Sequence, residues 1–293
     1  MIKARLPVLL TIFGSAFLVA PASTDQNPLL RHYREGQKLR YHMKGVNEQW
    51  HYEIKADGIV TKDSAGVYSE QYAWSHLISD GREVTLPAAS LDFRQQVTLD
   101  PGGRSILPDL RKVDPRLIGP ITDFVTFYVD LWLAVKTGKL THAGDHFYAK
   151  RGTPASWADG SHVLIGESSI DFDLTLDELN PSNKTATLSV KHVPPQAPEI
   201  KIPADWMRKP VADTANNWVM VRKMGNGKFL AAVGKETFEV KILVDLTDGK
   251  ILSASMDNRV ETIERECADA ALASCSDSKP HAIHRQIEMS LEK

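Results

Sequence analysis

The chain has 293 residues with 35 basic and 37 acidic side chains, a formal net charge of −2, 42% hydrophobic residues and two cysteines. With no basic block or basic amphipathic helix, that balance argues against nucleic acid or an anionic membrane as partner. The apolar and charged fractions are those of an ordinary globular protein, and the length accommodates one large domain or two.

The chain opens with Lys3 and Arg5 before a largely apolar run from Leu6 to Val19, followed by the small residues Ala20-Pro21-Ala22-Ser23. This is the pattern of a secretory leader, residues 1–22, with cleavage expected after Ala22. No cysteine stands there to take a lipid, so the expected product is exported, periplasmic or extracellular, and without a stable membrane anchor. Removing Lys3 and Arg5 leaves 35 − 2 = 33 basic residues against 37 acidic ones, a mature net charge near −4.

From Leu39 the chain alternates. Leu39, Tyr41 and Met43 share one face of a strand, and Trp50, Tyr52 and Ile54 repeat the pattern, with charged residues opposite. Period two with one polar face predicts a half-buried antiparallel sheet. Asp57-Gly58 and Asp80-Gly81 read as hairpin turns, with Tyr68, Tyr72, Trp74 and Ile78 on one face between them. Leu91 to Leu99 reads as a further strand, ended by Asp100-Pro101-Gly102-Gly103.

Gly119 to Gly138 reads as a helix over residues 120–136. Pro120 suits the first turn, Asp123 the positive end of the dipole, Lys136 the last turn, and Gly138 a left-handed stop. Apolar side chains cover nearly the whole circumference and leave only a narrow stripe through Asp123, Thr126, Asp130 and Thr137. Such a helix is expected to be wrapped by protein. A membrane span is disfavoured, because about 17 residues at roughly 1.5 Å each fall short of the hydrocarbon core even before two aspartates are desolvated.

Strands return after the helix. Phe172, Leu174 and Leu176 alternate with Asp171, Asp173 and Thr175, a turn follows at Asn180-Pro181, and Ala186, Leu188 and Val190 come back. Phe238 to Leu246 alternates strictly, turns at Thr247-Asp248-Gly249 and returns through Leu252 to Val260. A last strand carries Ile283, Ile287, Met289 and Leu291 on one face. The stretch 193–210, dense in proline, reads as an extended loop packed by Ile200, Ile202 and Trp206, with recognition by a protein partner as the alternative role.

The resulting expectation is a mainly β (α+β) protein, with curved antiparallel sheets in two halves around a long central buried helix. Residues 23–140 form the N-terminal half ending in the helix, and residues 141–293 form the C-terminal half. The opening Gly36-x-x-Leu39-x-Tyr41 strand, the element Gly144-Asp145-His146-Phe147 and the closing hairpin from Phe238 to Val260 resemble a set of uncharacterised bacterial exported β-rich proteins. More distantly, a curved sheet over a helix resembles the envelope lipoprotein carriers of the LolA and LppX type, which hold acyl chains. The resemblance supplies no catalytic residue.

Chemistry-bearing motifs are sparse. His142, Asp145 and His146 are candidate zinc ligands by residue type, against a plain turn at Gly144-Asp145. Asp171, Asp173 and Asp177 lack the calcium-loop pattern and read as a solvated strand face. His281 and His284 fall on opposite faces of the last strand. Gly-x-Ser-x-Gly, His-Glu-x-x-His and serine-lysine signatures are not found, and Gly166-Glu167-Ser168 lacks the second glycine. Asn183-Lys184-Thr185 matches a glycosylation acceptor. No cofactor and no catalytic residue is assigned. The helix aromatics Phe124, Phe127, Tyr128 and Trp132 are the candidate ligand-binding residues. With them goes the expectation of a non-catalytic carrier or binder of an apolar small molecule or lipid, or an envelope assembly factor. The alternatives are an exported hydrolase of polysaccharide or peptide, using a cleft between the halves, and a structural interaction module.

Cys267 and Cys275, in an exported chain, are expected to form a disulfide. An uninterrupted helix through A-D-A-A-L-A-S would hold their Cα atoms about 12 Å apart, beyond the roughly 7 Å a bridge spans. The intervening residues must therefore be mostly loop.

Overall fold

The computed structural model describes residues 27–103, 110, 113–149, 162–163, 171–193, 204–211, 216 and 218–293. Before the central helix come β1 (Lys38–Asn47), β2 (Trp50–Lys62), β3 (Tyr68–Ser79), β4 (Arg82–Glu83), the one-turn α1 (Ala88–Leu91) and β5 (Gln95–Val97). The central helix is α2 (Pro115–Thr137). After it come β6 (His146–Ala149), β7 (His162–Val163), β8 (Asp171–Asn180), β9 (Thr185–Val193), β10 (Trp218–Lys223), β11 (Phe229–Asp245), β12 (Ile251–Cys267) and β13 (Lys279–Leu291).

These strands form one large, open antiparallel sheet in the order β4-β3-β2-β1-β13-β12-β11-β9-β8-β6, with β5 on β3 and β10 on β11. In this one sheet β1 pairs with β13, which brings a strand that precedes α2 beside the last strand. Alternation decides which face turns inward. Tyr41, Met43, Tyr52, Ile54, Tyr72, Trp74, Leu188, Val190, Val240 and Ile242 are buried against α2, while the opposite face of the sheet is polar. α2 packs on this apolar face and crosses the strands. Asp123 meets Arg285 on β13 and Asp130 meets His192 on β9, so seven residues of helix, about 10 Å of rise, together with the reach of these side chains, span the three strand spacings between β13 and β9.

α2 begins five residues earlier than the sequence reading. Asp114 caps it by accepting from the Arg116 amide at 3.0 Å, and Pro115 takes the first helical position. Pro120 is therefore inside the helix. The C-terminus agrees with the reading, with Gly138 left-handed at φ 61°. By length and composition this helix could cross a membrane, yet 72% of its most apolar window is buried within the protein. Three of the four residues of the polar stripe read from the sequence are buried too, Asp123 2%, Thr126 8% and Asp130 0% exposed, and Thr137 at the helix end is half-buried.

Several strand assignments change. Asp57-Gly58 is no turn: Gly58 sits mid-β2, paired with Tyr72, whereas Asp80-Gly81 does turn the chain. A register shift in the β2–β3 pair near His76, whose φ is 51°, turns Leu77 rather than Ile78 into the core. Leu91 to Leu99 is not one strand but the end of α1 followed by β5. β11 starts at Phe229, nine residues before the strict alternation. Its added length, with β10, the far end of β12 and a 3-10 turn at Asp205–Arg208, encloses a second small core of Met207, Val219, Val221, Ala231, Val233, Cys267 and Leu272. The Cys267–Cys275 disulfide closes this end, and no helix forms between the cysteines. Ile200 and Ile202 of the proline-dense stretch, and Gly166 to Ser168, lie outside the described residues.

Candidate functional site

The interior holds polar groups placed at inward positions of otherwise apolar strands. Glu70 on β3 precedes Tyr72 and Trp74 in the inward phase and is 1% exposed. Its Oε1 accepts from Arg31 Nε at 3.1 Å, and its Oε2 accepts from the hydroxyls of Tyr72 at 2.7 Å and Tyr128 at 2.6 Å. Burial and the Glu70 charge push both tyrosines well above the ordinary phenol range. The Glu70–Arg31 pair is almost wholly desolvated, so either group alone would be strongly destabilising.

A second group occupies the row of the sheet facing the polar side of α2. Arg285 donates to Asp123 Oδ1, and the Tyr52 hydroxyl donates to Asp123 Oδ2 at 3.0 Å. Two effects oppose each other here: burial raises the Asp123 carboxyl, while Arg285 and Tyr52 favour its charged form. Burial dominates and the carboxyl sits above its usual range. Asn258 bridges to β11, donating to Glu236 Oε1 at 2.8 Å and to the Thr237 carbonyl at 3.1 Å. Burial likewise pushes the Glu236 carboxyl up.

Farther along α2, His192 Nε2 lies 3.0 Å from both oxygens of Asp130. Nε2 thus faces the carboxylate in the geometry of an N–H donor shared between its two oxygens, and Nδ1 lies on the side of the ring away from Asp130. The imidazole is held in plane by Phe238, stacked at 4.2 Å and 9°, and by the edge of Phe172 at 4.7 Å. Among the described residues nothing hydrogen-bonds Nδ1, and the side chain is 13% exposed. This is an oriented histidine–carboxylate pair between α2 and β9.

The aromatic residues read as ligand-binding are all interior. Phe124, Phe127 and Tyr128 are at most 1% exposed and Trp132 is 8% exposed. Phe124 packs against Tyr72 at 4.6 Å, Trp74 at 5.3 Å and Tyr41 at 6.0 Å, and the Trp132 indole donates to the Asp100 carbonyl at 3.1 Å. Phe124 and Tyr128 thus belong to one aromatic cluster with Tyr41, Tyr72 and Trp74 of β1 and β3.

The residues read as metal candidates separate into two local pairs. Asp145 Oδ2 accepts from the amides of Thr141 and His142, both at 2.8 Å, making a turn at the foot of β6. His146 pairs with Asp173 on β8. Among the described residues no group of three or more metal-binding side chains assembles. Of the acidic row, Asp171 departs from the expected solvated face: it is 3% exposed and accepts from the Tyr148 hydroxyl at 2.8 Å.

No known protein family, curated protein or solved structure matches the chain.

Proposed function

We propose that this is an exported, soluble, non-catalytic binder of an apolar small molecule or lipid, in the manner of an envelope carrier. The observation that carries the reading is the open sheet whose apolar, aromatic face is covered by a single helix rather than by a second sheet. A helix resting on a sheet can be displaced as one element, which exposes a long apolar trough without breaking any strand pairing. Phe124, Phe127, Tyr128 and Trp132 are then the helix wall of that trough. Export is supported by the leader pattern and by the Cys267–Cys275 disulfide. The test is native mass spectrometry and organic extraction of protein purified from its own host. An apolar molecule at near-stoichiometric level supports the reading; its absence, together with no uptake of a fluorescent fatty acid, sinks it.

The oriented Asp130–His192 pair favours a second reading, an exported hydrolase in which His192, positioned by Asp130, acts as the general base. Chromogenic esters and glycosides test it. Turnover that disappears in His192→Ala supports the hydrolase, and no turnover, or turnover indifferent to His192, removes it.

A further inference from the structure

The face of the sheet turned away from α2 carries a groove of about 610 Å³ across β1, β2 and β3, within the size range of small-molecule sites. Strand register sets its floor. Arg40 pairs with Asp57, Asp57 pairs with Ala73, and Arg94 stands beside Ala73 because the next residue, Gln95, pairs with Tyr72. Arg40 and Arg94 are thus opposite walls, three strand spacings or about 14 Å apart at the backbone, with only the Asp57 carboxylate and the Ala73 methyl between them. One step along the strands, Lys38 pairs with Ile59 and Ile59 with Gln71. Ile59 is 41% exposed; it and Leu91, 48% exposed, are the exposed large hydrophobic side chains among the described residues. Leu91 lies at the same place, since its carbonyl accepts from Arg94.

The charges of the groove are unevenly matched. Both of its carboxylates are already engaged, Asp57 by Arg40 Nε and by the Ser75 hydroxyl at 2.9 Å, and Glu292 by Lys55 at 2.9 Å. Lys38 and Arg94 pair with no carboxylate among the described residues. Arg94 is nonetheless held in place, because its Nη1 donates to the Leu91 carbonyl at 2.7 Å and to the Phe93 carbonyl at 2.8 Å. Its Nε and Nη2 edge donates to nothing among the described residues, and neither do the terminal nitrogens of Arg40, which is anchored through Nε. A fixed guanidinium edge offers two parallel donors, the geometry that a carboxylate or a phosphate accepts.

We infer that this groove is a binding site for a small anionic amphiphile, a carboxylate or phosphate monoester carrying a short apolar portion. Arg40, Arg94 and Lys38 grip the anion, and the apolar portion lies on Ile59 and Ala73. The site is on the opposite face of the sheet from the aromatic cluster under α2, so it does not rest on the carrier reading. The ligand is a free molecule rather than an anionic bilayer, because a chain of net charge −2 is not drawn as a whole to a negative surface.

The probe is hexyl phosphate, titrated into the whole protein and followed by calorimetry and amide chemical shifts, with inorganic phosphate and hexan-1-ol as its two halves. Hexyl phosphate is expected to bind at least about tenfold more tightly than either half, with the shifts centred on Ile59 and Ala73. The double variant Lys38→Gln, Arg94→Gln alters only exposed side chains, and it is expected to weaken hexyl phosphate by at least about tenfold at an unchanged melting temperature. Ile59→Ser is expected to weaken hexyl phosphate by at least about threefold while leaving inorganic phosphate unaffected. Three results overturn the site: no binding of hexyl phosphate, equal affinity for hexyl phosphate and inorganic phosphate, or binding indifferent to the double variant. Sedimentation of the protein with phosphatidylglycerol vesicles, lost in the same double variant, overturns the assignment to a free molecule.

Discussion

The interior tyrosines owe their positions to glycines. Gly45 pairs with Tyr52, and Gly58 pairs with Tyr72. A Cβ at either glycine would come within 2.1 Å or 2.2 Å of the partner ring, so each tyrosine lies flat across a bare stretch of backbone. From there its hydroxyl reaches Asp123 or Glu70. Gly45→Ala must lift the Tyr52 ring and break its bond to Asp123, with an expected loss of about 1–3 kcal/mol in urea unfolding. Tyr52→Phe, which keeps the ring in place, should lose less; equal losses would show that the ring contact is not what the alanine disturbs. Asp123→Ala leaves Arg285 beside an apolar helix. The expected cost is about 2–3 kcal/mol, below that of a fully enclosed pair because Arg285 remains a quarter exposed. The double replacement Asp123→Ala with Arg285→Met should recover most of it. These polar partners were legible only in phase: Arg285 falls in step with Ile283 and Ile287, His192 with Leu188 and Val190, and Glu70 with Tyr72 and Trp74. Period two places a polar residue inward, but it does not say which carboxylate on another element will meet it.

At the level of elements, the helix stop at Gly138 and the turns at Asp80-Gly81, Asn180-Pro181 and Asp248-Gly249 were readable because each requires a residue type that little else explains. The helix start was misplaced because two prolines, Pro115 and Pro120, both suit a first turn, and Asp114 as cap decides for the earlier one. Asp57-Gly58 misled for a related reason: a glycine under an aromatic ring looks, in sequence, like a glycine in a turn. The disulfide was readable from compartment and count, and it closes the far end of β12 onto the following loop. Its sequence separation of 8 gives a stabilisation of about 2.6 kcal/mol on the chain-entropy view. Since Cys267 packs in the second core and not in the main one, the loss in a Cys267→Ser, Cys275→Ser protein should be local. Hydrogen exchange is expected to quicken in β10 and the outer halves of β11 and β12 while α2 and β1–β3 keep their protection. Uniform acceleration would show instead that the two cores unfold as one.

Over the whole molecule, the carboxyls of the described residues that are displaced from their ordinary range fall into two sets with opposite dependence on pH. Asp123 is buried and Glu236 is half-buried beside Asn258, and burial raises their carboxyls from ordinary values of 3.8 and 4.5. Their folded forms hold a proton more tightly than their unfolded forms, so their contribution is complete below those ordinary values and is lost as pH rises through the folded ones. Asp114, Asp145, Asp257 and Asp269 lie toward the surface, and hydrogen bonds from Arg116, from the His142 and Thr141 amides, from His284 and from the Ser274 amide hold their carboxyls below 3.8. Their contribution is present above 3.8 and is lost as pH falls through the lowered values. Between the two sets lies a mildly acidic window in which the interior pair is relieved and the surface group is still intact. The melting temperature is therefore expected to rise as pH falls from 7 toward about 4.5, and to drop steeply below about 3.8. Asp123→Asn combined with Glu236→Gln removes the interior titration and should flatten the rise while leaving the acid collapse in place. A rise that survives in the double variant would assign it to other groups, and a melting temperature that falls monotonically from pH 7 in the unaltered protein would mean that Arg285, not burial, governs Asp123.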